Sequence, residues 1–453
     1  MLKDGKLHLA KYAPPPVGLP VYQQVDPRDV SFIGRTNYEA PGESNQFIFG
    51  IKRKDRKRHL YIVGKTGVGK SKMVELLMRQ DVTYGHGFCL IDPQGKLVQS
   101  MLDFIPEERM RDVVVFDPTD GDFPVSFNPF ANVPVDVRHH VVQGIVEAMA
   151  QQFGASWSHR IEHVLRLTLL ALLDYPEATL HSVISLLTDA PFRSRVTAHI
   201  SDDMVKRFFE AEFDDWAMKF EADGVMPIVN HLSKFLAIPS IRSIFVQKEN
   251  KINFDEIIAN RKILLVSLAK GKIGDQNGNF LGALVMNKLR QAGMARRDLP
   301  DESRKDFCVY LYEFHSLMFG SFMNLFSESR GYGFCITAAH QYVAQLDPVA
   351  FSHVLGNAGT IIVFRVGGED AEKLESEMNP VFKAKDMINL ATREFYIKQI
   401  IDGEAYDPFS AETLNVLPPP YASRRVNIIE MSRNTYAMPL GKVREMYYGG
   451  GST

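Results

Sequence analysis

The chain has 453 residues, of which 45% are hydrophobic and 23% charged, so it is long enough for a globular core with at least one further domain. Its 52 basic and 54 acidic residues give a formal net charge of -2, which excludes a globally polycationic nucleic-acid binder. Any contact with nucleic acid must therefore be local.

The cysteines and the apolar segments bear on the compartment. Cys89, Cys308 and Cys335 stand in apolar runs without CxxC spacing, which argues against a disulfide framework or a zinc site and favours a reducing cytoplasm. The N-terminal segment has no apolar region of the signal-peptide type, and no segment approaches the roughly 18 uninterrupted apolar residues of a spanning helix. The sequence therefore predicts a cytoplasmic protein without membrane insertion.

The N-terminal segment differs in composition from the rest of the chain. Residues 1–45 are rich in proline, glycine and polar residues, including Pro14–Pro16 and Pro41–Gly42. Such composition predicts a partly extended arm that lies on another surface and does not form part of a core.

Short apolar runs recur after the arm, and they are too apolar for half-exposed strands. Several are followed by helical patterns, as in 72–80 and 281–295, which indicates a mainly parallel sheet covered on both faces. The predicted strands are residues 59–63, 87–91, 113–116, 262–268, 307–312, 334–339, 360–366 and 395–401.

The strand pattern stops between the third and the fourth of these runs, and helical periodicity replaces it. We therefore expect an all-α insertion at 131–257 that divides the sheet-forming core into 46–130 and 258–405. The remaining residues, 406–453, contain Pro418–Pro420 and Gly449–Gly451 and are expected to form a strap with a frayed end. The predicted class is α/β with an inserted all-α domain.

The strongest motif follows the first predicted strand and precedes a helical pattern. It is a full GxxxxGK[ST] match made of Gly64, Lys65, Thr66, Gly67, Val68, Gly69, Lys70 and Ser71. In such a P-loop, backbone N–H groups cradle phosphate oxygens, Lys70 neutralises β/γ charge and the Ser71 hydroxyl binds Mg²⁺. The alternative is a glycine-rich turn with a chance lysine, which the strand and helix on either side disfavour.

Hydrolysis needs carboxylates near the metal and the attacking water, and two candidates follow strands. Glu313 follows the strand 307–312 and is a candidate general base, but Tyr312 stands where an aspartate usually precedes that glutamate. Asp92 follows the strand 87–91, and it faces the phosphates if that strand lies near the P-loop strand. The alternative for Asp92 is a turn formed by Asp92 and Pro93.

Two further polar groups lie near the strand 334–339. Gln341, after His340, can donate and accept hydrogen bonds at once and is a candidate γ-phosphate sensor, the alternative being a helix-capping pair. Arg330 precedes the strand and is a candidate arginine finger for a neighbouring subunit, the alternative being a surface arginine. The run 52–58 has six basic residues in seven and is either a solvated loop or, multiplied in a ring, part of a positive channel.

These motifs together resemble the HerA/FtsK superfamily over about residues 45–435, and within it the conjugation and type IV secretion coupling proteins of the TraG/TraD type, without a membrane anchor. The order and spacing of the motifs support the resemblance. They are the P-loop at 64–71, residues 92–95, 127–129 and 313–315, and Arg330 followed by 339–346.

The resemblance implies a RecA-like core, a homo-hexameric ring and the use of ATP and Mg²⁺ to move DNA. It assigns support of hydrolysis to Asp92 and Glu313, sensing to Gln341 and a finger acting in trans to Arg330. It also suggests conjugation or secretion machinery as partner, and substrate or partner recognition for the helical insertion. Two alternatives stay open: a degenerate P-loop subunit that binds ATP for assembly, favoured by Tyr312, and an ATPase that moves protein.

Overall fold

The structure is a computed structural model that describes residues 2–3, 6–7, 10–39, 46–300, 303–317 and 321–448. Residues 40–45 of the expected arm and the expected frayed end at Gly449–Gly451 lie outside the described residues. Among the described residues, no helix combines the length and the hydrophobicity that crossing a membrane requires.

A short hairpin at the N-terminus and one large mixed sheet account for the strands. The strands are β1 (Leu2–Lys3), β2 (Lys6–Leu7), β3 (Val30–Thr36), β4 (Ile48–Lys52), β5 (Leu60–Val63), β6 (Phe88–Asp92), β7 (Val113–Phe116), β8 (Ile263–Ser267), β9 (Phe307–Tyr312), β10 (Phe334–His340), β11 (Thr360–Phe364), β12 (Glu394–Ile401), β13 (Glu404–Ala405) and β14 (Phe409–Thr413).

The sheet order is β4-β3-β14-β12-β11-β5-β10-β9-β6-β8-β7, with β13 paired to β12. From β11 to β7 all neighbours run parallel, whereas β12, β14, β3 and β4 extend the sheet by antiparallel pairing. The P-loop strand β5 is therefore central, with β10 and β9 on one side and β11 on the other.

The two faces of the sheet support separate hydrophobic cores, because successive side chains of a strand point to opposite faces. On β5, Tyr61 and Val63 belong to one core, and Leu60 and Ile62 belong to the other. Both faces of the sheet are therefore buried from solvent, as the uniformly apolar strands predict.

Helices cover both faces. Around the sheet they are α1 (Arg53–Arg56), α2 (Lys70–Thr83), α3 (Lys96–Phe104), α13 (Lys270–Ile273), α14 (Asp275–Met294), α15 (Ser321–Tyr332), α16 (Pro348–Asn357), α17 (Gly368–Met378), α18 (Ala384–Ile388), α19 (Arg425–Tyr436) and α20 (Leu440–Tyr448).

The segment between β7 and β8 begins with turns and is mainly helical from residue 138 to residue 259. Its helices are α4 (Arg138–Phe153), α5 (His159–Asp174), α6 (Leu180–Thr188), α7 (Ala190–Thr197), α8 (Asp203–Arg207), α9 (Phe213–Phe220), α10 (Met226–Leu236), α11 (Pro239–Phe245) and α12 (Phe254–Ala259). The predicted fold class, α/β with a mainly parallel sheet and an inserted all-α part, is confirmed.

The helical segment is joined to the sheet region by α14. The Asn287 side-chain amide donates to the Val141 carbonyl at 2.8 Å, and Lys288 Nζ donates to the Ala131 carbonyl at 2.8 Å. One hydrophobic core runs through both parts. The insertion therefore shares packing with the core and is not a loosely tethered module.

The N-terminal residues contribute a strand that the expected arm did not anticipate. β3 pairs with β14, almost 400 positions later in the chain, and its residue Gly34 lies so close to β14 that an added Cβ would be 2.8 Å from the Glu412 carbonyl oxygen. The predicted C-terminal strap likewise contains β14, α19 and α20. Ser31 and Gly34 interrupt the apolar pattern of β3, so its sequence does not read as a buried strand.

The basic run ahead of β5 is held in ion pairs and is not a solvated loop. Arg53 and Arg56 both bind Asp81 of α2, at 2.8 and 2.9 Å. Tyr310 of β9 donates its hydroxyl to Asp81 and accepts from Arg56 Nη2 at 2.6 Å. The pairing ties α1, α2 and β9 together at the end of α2 that lies away from the P-loop.

Three of the four other basic side chains of the run also have acidic partners. Lys52 and Lys54 lie 2.7 Å from the carboxylate of Asp402, and Lys57 lies 2.9 Å from that of Asp306. Three carboxylates therefore pair with five of the six basic side chains of the run, which weakens the interpretation that it lines a channel.

Asp81→Asn should lower the free energy of unfolding at pH 7 by about 3 kcal/mol, because it leaves buried arginine charge without a partner. Burial alone would raise the pKa of Asp81, but the charges of Arg56 and Arg53 outweigh it and lower that pKa to about 2. Because the pKa of Asp81 is lower in the folded than in the unfolded chain, its ionised form stabilises the fold at pH values above the ordinary pKa of an aspartate. This stabilisation is lost as the pH falls toward 2. Urea unfolding from pH 7 to pH 2.5 measures both effects.

The matched control is Asp402→Asn, which removes an exposed carboxylate paired with two lysines and should cost at most about 1 kcal/mol. Equal losses in the two variants, or a difference that does not shrink below pH 4, would contradict the buried role of Asp81.

Candidate active site

The predicted P-loop lies between β5 and α2, and its backbone has the geometry that the motif requires. Gly67 and Gly69 have φ of 79° and 126°, values that residues other than glycine rarely adopt. The loop therefore turns tightly and leads its N–H groups to the start of α2, which begins at Lys70 and not, as expected, at residue 72.

Lys70 is held inside this loop. Its Nζ donates to the Gly64 carbonyl at 2.5 Å and to the Lys65 carbonyl at 2.9 Å. Burial lowers the pKa of Lys70 to about 8, against the opposing charge of Glu313. The ammonium group and Glu313 are therefore part of one electrostatic site.

Tyr312, the last residue of β9, contacts the P-loop serine directly. Its hydroxyl lies 2.6 Å from Ser71 Oγ. Burial raises the pKa of Tyr312, and the charges of Glu313 and Asp92 raise it further, while the bond to Ser71 opposes them. The phenol stays neutral, so position 312 orients the serine hydroxyl without supplying the negative charge of an aspartate.

Glu313 follows Tyr312 in a strained backbone conformation. Its φ is 52°, which is unusual for a residue other than glycine and typical of functional sites. The conformation is stabilised by a 2.7 Å hydrogen bond from its N–H to the Ala339 carbonyl. The side chain is buried, and Oε1 has no hydrogen-bond partner among the described residues.

The charge of Glu313 is tuned by its neighbours. Burial raises its pKa, with a smaller contribution from Asp92, while a hydrogen bond with Gln341 and the charges of Lys70 and Lys270 lower it; the net effect is a raised pKa. A buried carboxylate with a raised pKa and a free oxygen has the properties of a general base.

Gln341 links the P-loop to Glu313. Its Oε1 accepts from Thr66 Oγ1 at 3.0 Å, and its side chain also hydrogen-bonds Glu313. The neighbouring His340 is fully buried, its Nε2 lying 2.6 Å from the Tyr61 hydroxyl, and burial lowers its pKa to about 3. The pair therefore divides into a core histidine and a glutamine that faces the site.

Asp92 lies at the same edge of the sheet, but its carboxylate is engaged in local structure. Oδ1 accepts from the Gln94 N–H at 3.0 Å, and Oδ2 accepts from those of Leu97 and Val98 at 2.7 and 3.3 Å. The geometry matches the alternative interpretation, a turn that caps the start of α3. The Asp92 charge still acts on Tyr312 and Glu313.

Arg330 is not brought to this site within the chain. It lies in α15 before the start of β10, whereas Gln341 follows the end of β10, so the two lie at opposite edges of the sheet. The side chain is exposed. Any contact of Arg330 with a P-loop would therefore have to be made in another copy of the chain.

Sequence reasoning assigned no role to two residues of the site, Lys270 and His315, although His315 belongs to the motif at 313–315. Burial lowers the pKa of Lys270, which follows β8, and Glu313 opposes that shift. His315 Nδ1 lies 3.9 Å from Glu313 Oε2. Both follow strand ends at the edge that carries the other candidates, and that position was the available signal.

Comparison with known proteins places this geometry in context. Residues 48–378 match the model of a family described as the type IV secretion-system coupling protein DNA-binding domain. No curated protein matches the chain in sequence.

Several solved structures share the fold at low identity. The bacterial conjugative coupling protein TrwBdeltaN70 in unbound form has a TM-score of 0.61 at 12% identity, covering 83% of this chain and 88% of its own. Plasmid coupling protein TrwB with ADP and Mg²⁺ has a TM-score of 0.60 at 13% identity, covering 83% and 89%. VirB4 of Thermoanaerobacter pseudethanolicus has a TM-score of 0.54 at 13% identity, and the match covers 79% of this chain and 89% of the VirB4 chain. The expected RecA-like P-loop core is confirmed.

Proposed function

This chain belongs to the family of type IV secretion-system coupling protein DNA-binding domains, and on that premise we propose that it is an ATPase that moves DNA as a homo-hexameric ring. The observation that carries the proposal is the convergence of Lys70, Ser71, Glu313 and Gln341 at one edge of the sheet. We place its action in conjugation or type IV secretion on the cytoplasmic side of that machinery.

The P-loop, residues 64–71, binds the triphosphate. Its N–H groups at the start of α2 and the Lys70 ammonium bind phosphate oxygens, because a helix N-terminus and a fixed cation both attract anions. Plasmid coupling protein TrwB is described with ADP and Mg²⁺ and with an ATP analogue, and we propose the same ligand class here.

Mg²⁺ fits the oxygen groups at this position. Ser71 can donate its hydroxyl proton to Tyr312 and keep its lone pairs for a metal, and Glu313, whose Oε1 is free, directly follows Tyr312 at the end of β9. When bound, the ion neutralises charge on the β- and γ-phosphates. Tyr312 positions Ser71 in this arrangement.

Glu313 accepts the proton of the water that attacks the γ-phosphate. Its raised pKa and free oxygen suit this role, and Gln341 fixes its orientation. Gln341 also contacts Thr66 of the P-loop. A nucleotide bound in the P-loop therefore influences, through Gln341, the position of the Glu313 carboxylate. Arg330 acts, in this proposal, on the P-loop of a neighbouring copy, and Asp92 contributes through its charge.

The domain division supports the same interpretation. We propose a core of 46–130 and 258–405, with 131–257 as a recognition domain for substrate or partner; β3 of the segment 1–45 and β14 of the segment 406–453 complete the sheet of this core. Because the basic run 52–58 is engaged in ion pairs within the chain, we expect other surfaces of the ring to contact DNA.

DNA should stimulate steady-state ATP hydrolysis severalfold, and the stimulation should decline steeply with salt, because phosphate contacts release counterions. Turnover is measured with double-stranded DNA, with single-stranded DNA and without DNA, at several salt concentrations. Turnover that is robust but indifferent to both forms of DNA would favour the protein-moving alternative.

The alternative of a degenerate, non-hydrolysing subunit rests on Tyr312. Tyr312→Asp adds a negative charge beside Ser71 and should strengthen the Mg²⁺-dependent part of nucleotide binding by about tenfold. Tyr312→Phe, which removes only the hydroxyl, is the matched control and should not strengthen it. A wild type that is inert in hydrolysis, combined with an active Tyr312→Asp, would establish the degenerate subunit and refute the motor.

A further inference from the structure

The steps proposed above leave one group of the site without a role, the imidazole of His315. Its Nδ1 lies 3.9 Å from Glu313 Oε2. This nitrogen and the other carboxylate oxygen, Oε1, are both buried, and neither has a hydrogen-bond partner among the described residues. The imidazole therefore faces one oxygen of the carboxylate and leaves the other free for water.

The partner of the second ring nitrogen determines where the proton of the imidazole sits. Gln345 Nε2 lies 3.5 Å from His315 Nε2. Gln345 Oε1 accepts from the Tyr342 N–H at 3.3 Å, so the amide nitrogen, which can only donate, is the group that faces the histidine. His315 Nε2 must then be the acceptor, and the proton of the neutral ring is on Nδ1.

A positively charged imidazole does not fit this arrangement, because its Nε2–H would face a second donor. Burial lowers the pKa of His315, and the charge of Lys270 lowers it further. The other titratable groups that face the ring are Glu313 and the buried His340, whose own pKa is lowered to about 3 by burial and then by the charges of His315 and Lys70. The ring is therefore neutral at pH 7 and directs a single N–H toward the carboxylate.

The turn that carries Gln345 belongs to the segment that contacts the P-loop. Residues 343–345 form a 3₁₀ turn that begins two positions after Gln341. The turn is anchored on α17, because the Val343 N–H donates to Asp370 Oδ1 at 3.0 Å. Since Gln341 contacts the P-loop, a bound nucleotide and the partner of the imidazole act on the same short segment.

A buried N–H without an acceptor is unfavourable, and Glu313 Oε2 is the acceptor at hand. The separation of 3.9 Å exceeds a hydrogen bond, but hydrogen bonds between catalytic groups commonly shorten when substrate binds. We propose that His315 is a positioning residue for Glu313: its Nδ1–H donates to Oε2 in the nucleotide-bound site and so turns Oε1 toward the attacking water. The assignment rests on the proposed role of Glu313 as general base.

Three substitutions of His315 separate positioning from packing. His315→Leu removes the donor and should lower kcat by about tenfold, because a hydrogen bond to a charged group is lost. His315→Asn places an amide N–H near the position of Nδ1 and should restore kcat to within about threefold of the wild type. His315→Gln places it near the position of Nε2 and should stay as slow as His315→Leu. All three should change nucleotide affinity less than about threefold.

Single-turnover hydrolysis, with the full chain in excess over ATP, measures the chemical step, and calorimetry with ATP measures the affinity. His353→Leu is the matched control, because His353 is an exposed histidine of α16. It should change neither quantity.

The tautomer is measured without turnover, by solid-state NMR of the sedimented full chain with ¹⁵N-labelled histidine. The signals of His315, identified by their absence in His315→Asn, should show the proton on Nδ1. Gln345→Leu removes the donor that faces Nε2, and the Nε2–H form should then appear beside the Nδ1–H form.

The remaining outcomes overturn the assignment. A proton on Nε2 in the wild type would mean that the ring cannot donate to Glu313. A His315→Asn variant as slow as His315→Leu, or a parallel loss of affinity and kcat, would mean that His315 acts through packing. If the wild type hydrolyses ATP and the His315 variants do not differ from it, only the positioning role fails. If the wild type does not hydrolyse ATP, the proposed base fails, and the role of His315 with it.

Discussion

Lys70→Ala should weaken nucleotide binding by about a hundredfold and abolish measurable ATP hydrolysis, because charge-assisted hydrogen bonds to phosphate contribute about 1.5–3 kcal/mol each. The ammonium group lies inside the loop on the Gly64 and Lys65 carbonyls, so its direction is set before any ligand arrives. Calorimetry with ATP and a steady-state phosphate-release assay measure the two effects.

Lys72→Ala is the matched control for this prediction. Lys72 lies two residues later on α2, has a 63% exposed side chain and pairs with Glu75. Its loss should change affinity and turnover less than threefold, as expected for an exposed ion pair worth at most about 1 kcal/mol. Equal losses in the two variants would mean that the P-loop binds phosphate through net charge alone and that the position of Lys70 is unimportant.

The parallel half of the sheet could be predicted from sequence because each of its strands is apolar on both faces. The predicted strands 113–116 and 307–312 coincide with β7 and β9, and the others differ by one or two residues at an end. The P-loop could be predicted because its glycines, its lysine and the strand before it are all local features. Local signals of this kind do not depend on which strands become neighbours.

Only β12 of the antiparallel extension was predicted, as the strand 395–401; the pairing of β3 with β14 could not be predicted, because it depends on contacts between distant segments. β3 and β14 pair across nearly the whole chain, and the buried Ser31 of β3 is tolerated only because Arg56 donates a hydrogen bond to it at 2.9 Å. A pattern search treats such a serine as an interruption. The ion pairs of Arg53 and Arg56 with Asp81 could not be predicted for the same reason, because nothing in the local sequence distinguishes Asp81 from an ordinary helical residue.

In the candidate site, too, the features that depend on local sequence could be predicted, and those that depend on the folded arrangement could not. That Glu313 and Gln341 each follow the end of a strand could be inferred from the sequence; the structure makes these two strands neighbours and brings the residues together. That Tyr312 contacts Ser71, and that Asp92 is occupied by three N–H groups, depends on side-chain direction after the chain has folded. Residue type and spacing alone left both alternatives for Asp92 open.

Glu313→Gln should reduce kcat by about a hundredfold or more while nucleotide affinity changes less than severalfold, since removing a general base typically costs 10²–10⁴ in rate. The amide preserves the size of the side chain and its hydrogen bond with Gln341, so the strained backbone at Glu313 is not disturbed. Single-turnover hydrolysis, with the protein at saturating concentration and in excess over ATP, separates the chemical step from binding and product release.

Asp92→Asn distinguishes a base at position 313 from a general need for negative charge at this edge. Because the Asp92 carboxylate caps the turn before α3, its amide variant should lower the free energy of unfolding by about 1–2 kcal/mol. It should leave kcat within a few-fold of the wild type. If Asp92→Asn lowers kcat as much as Glu313→Gln and leaves stability unchanged, the base is not Glu313 alone, and the two carboxylates act as one catalytic unit.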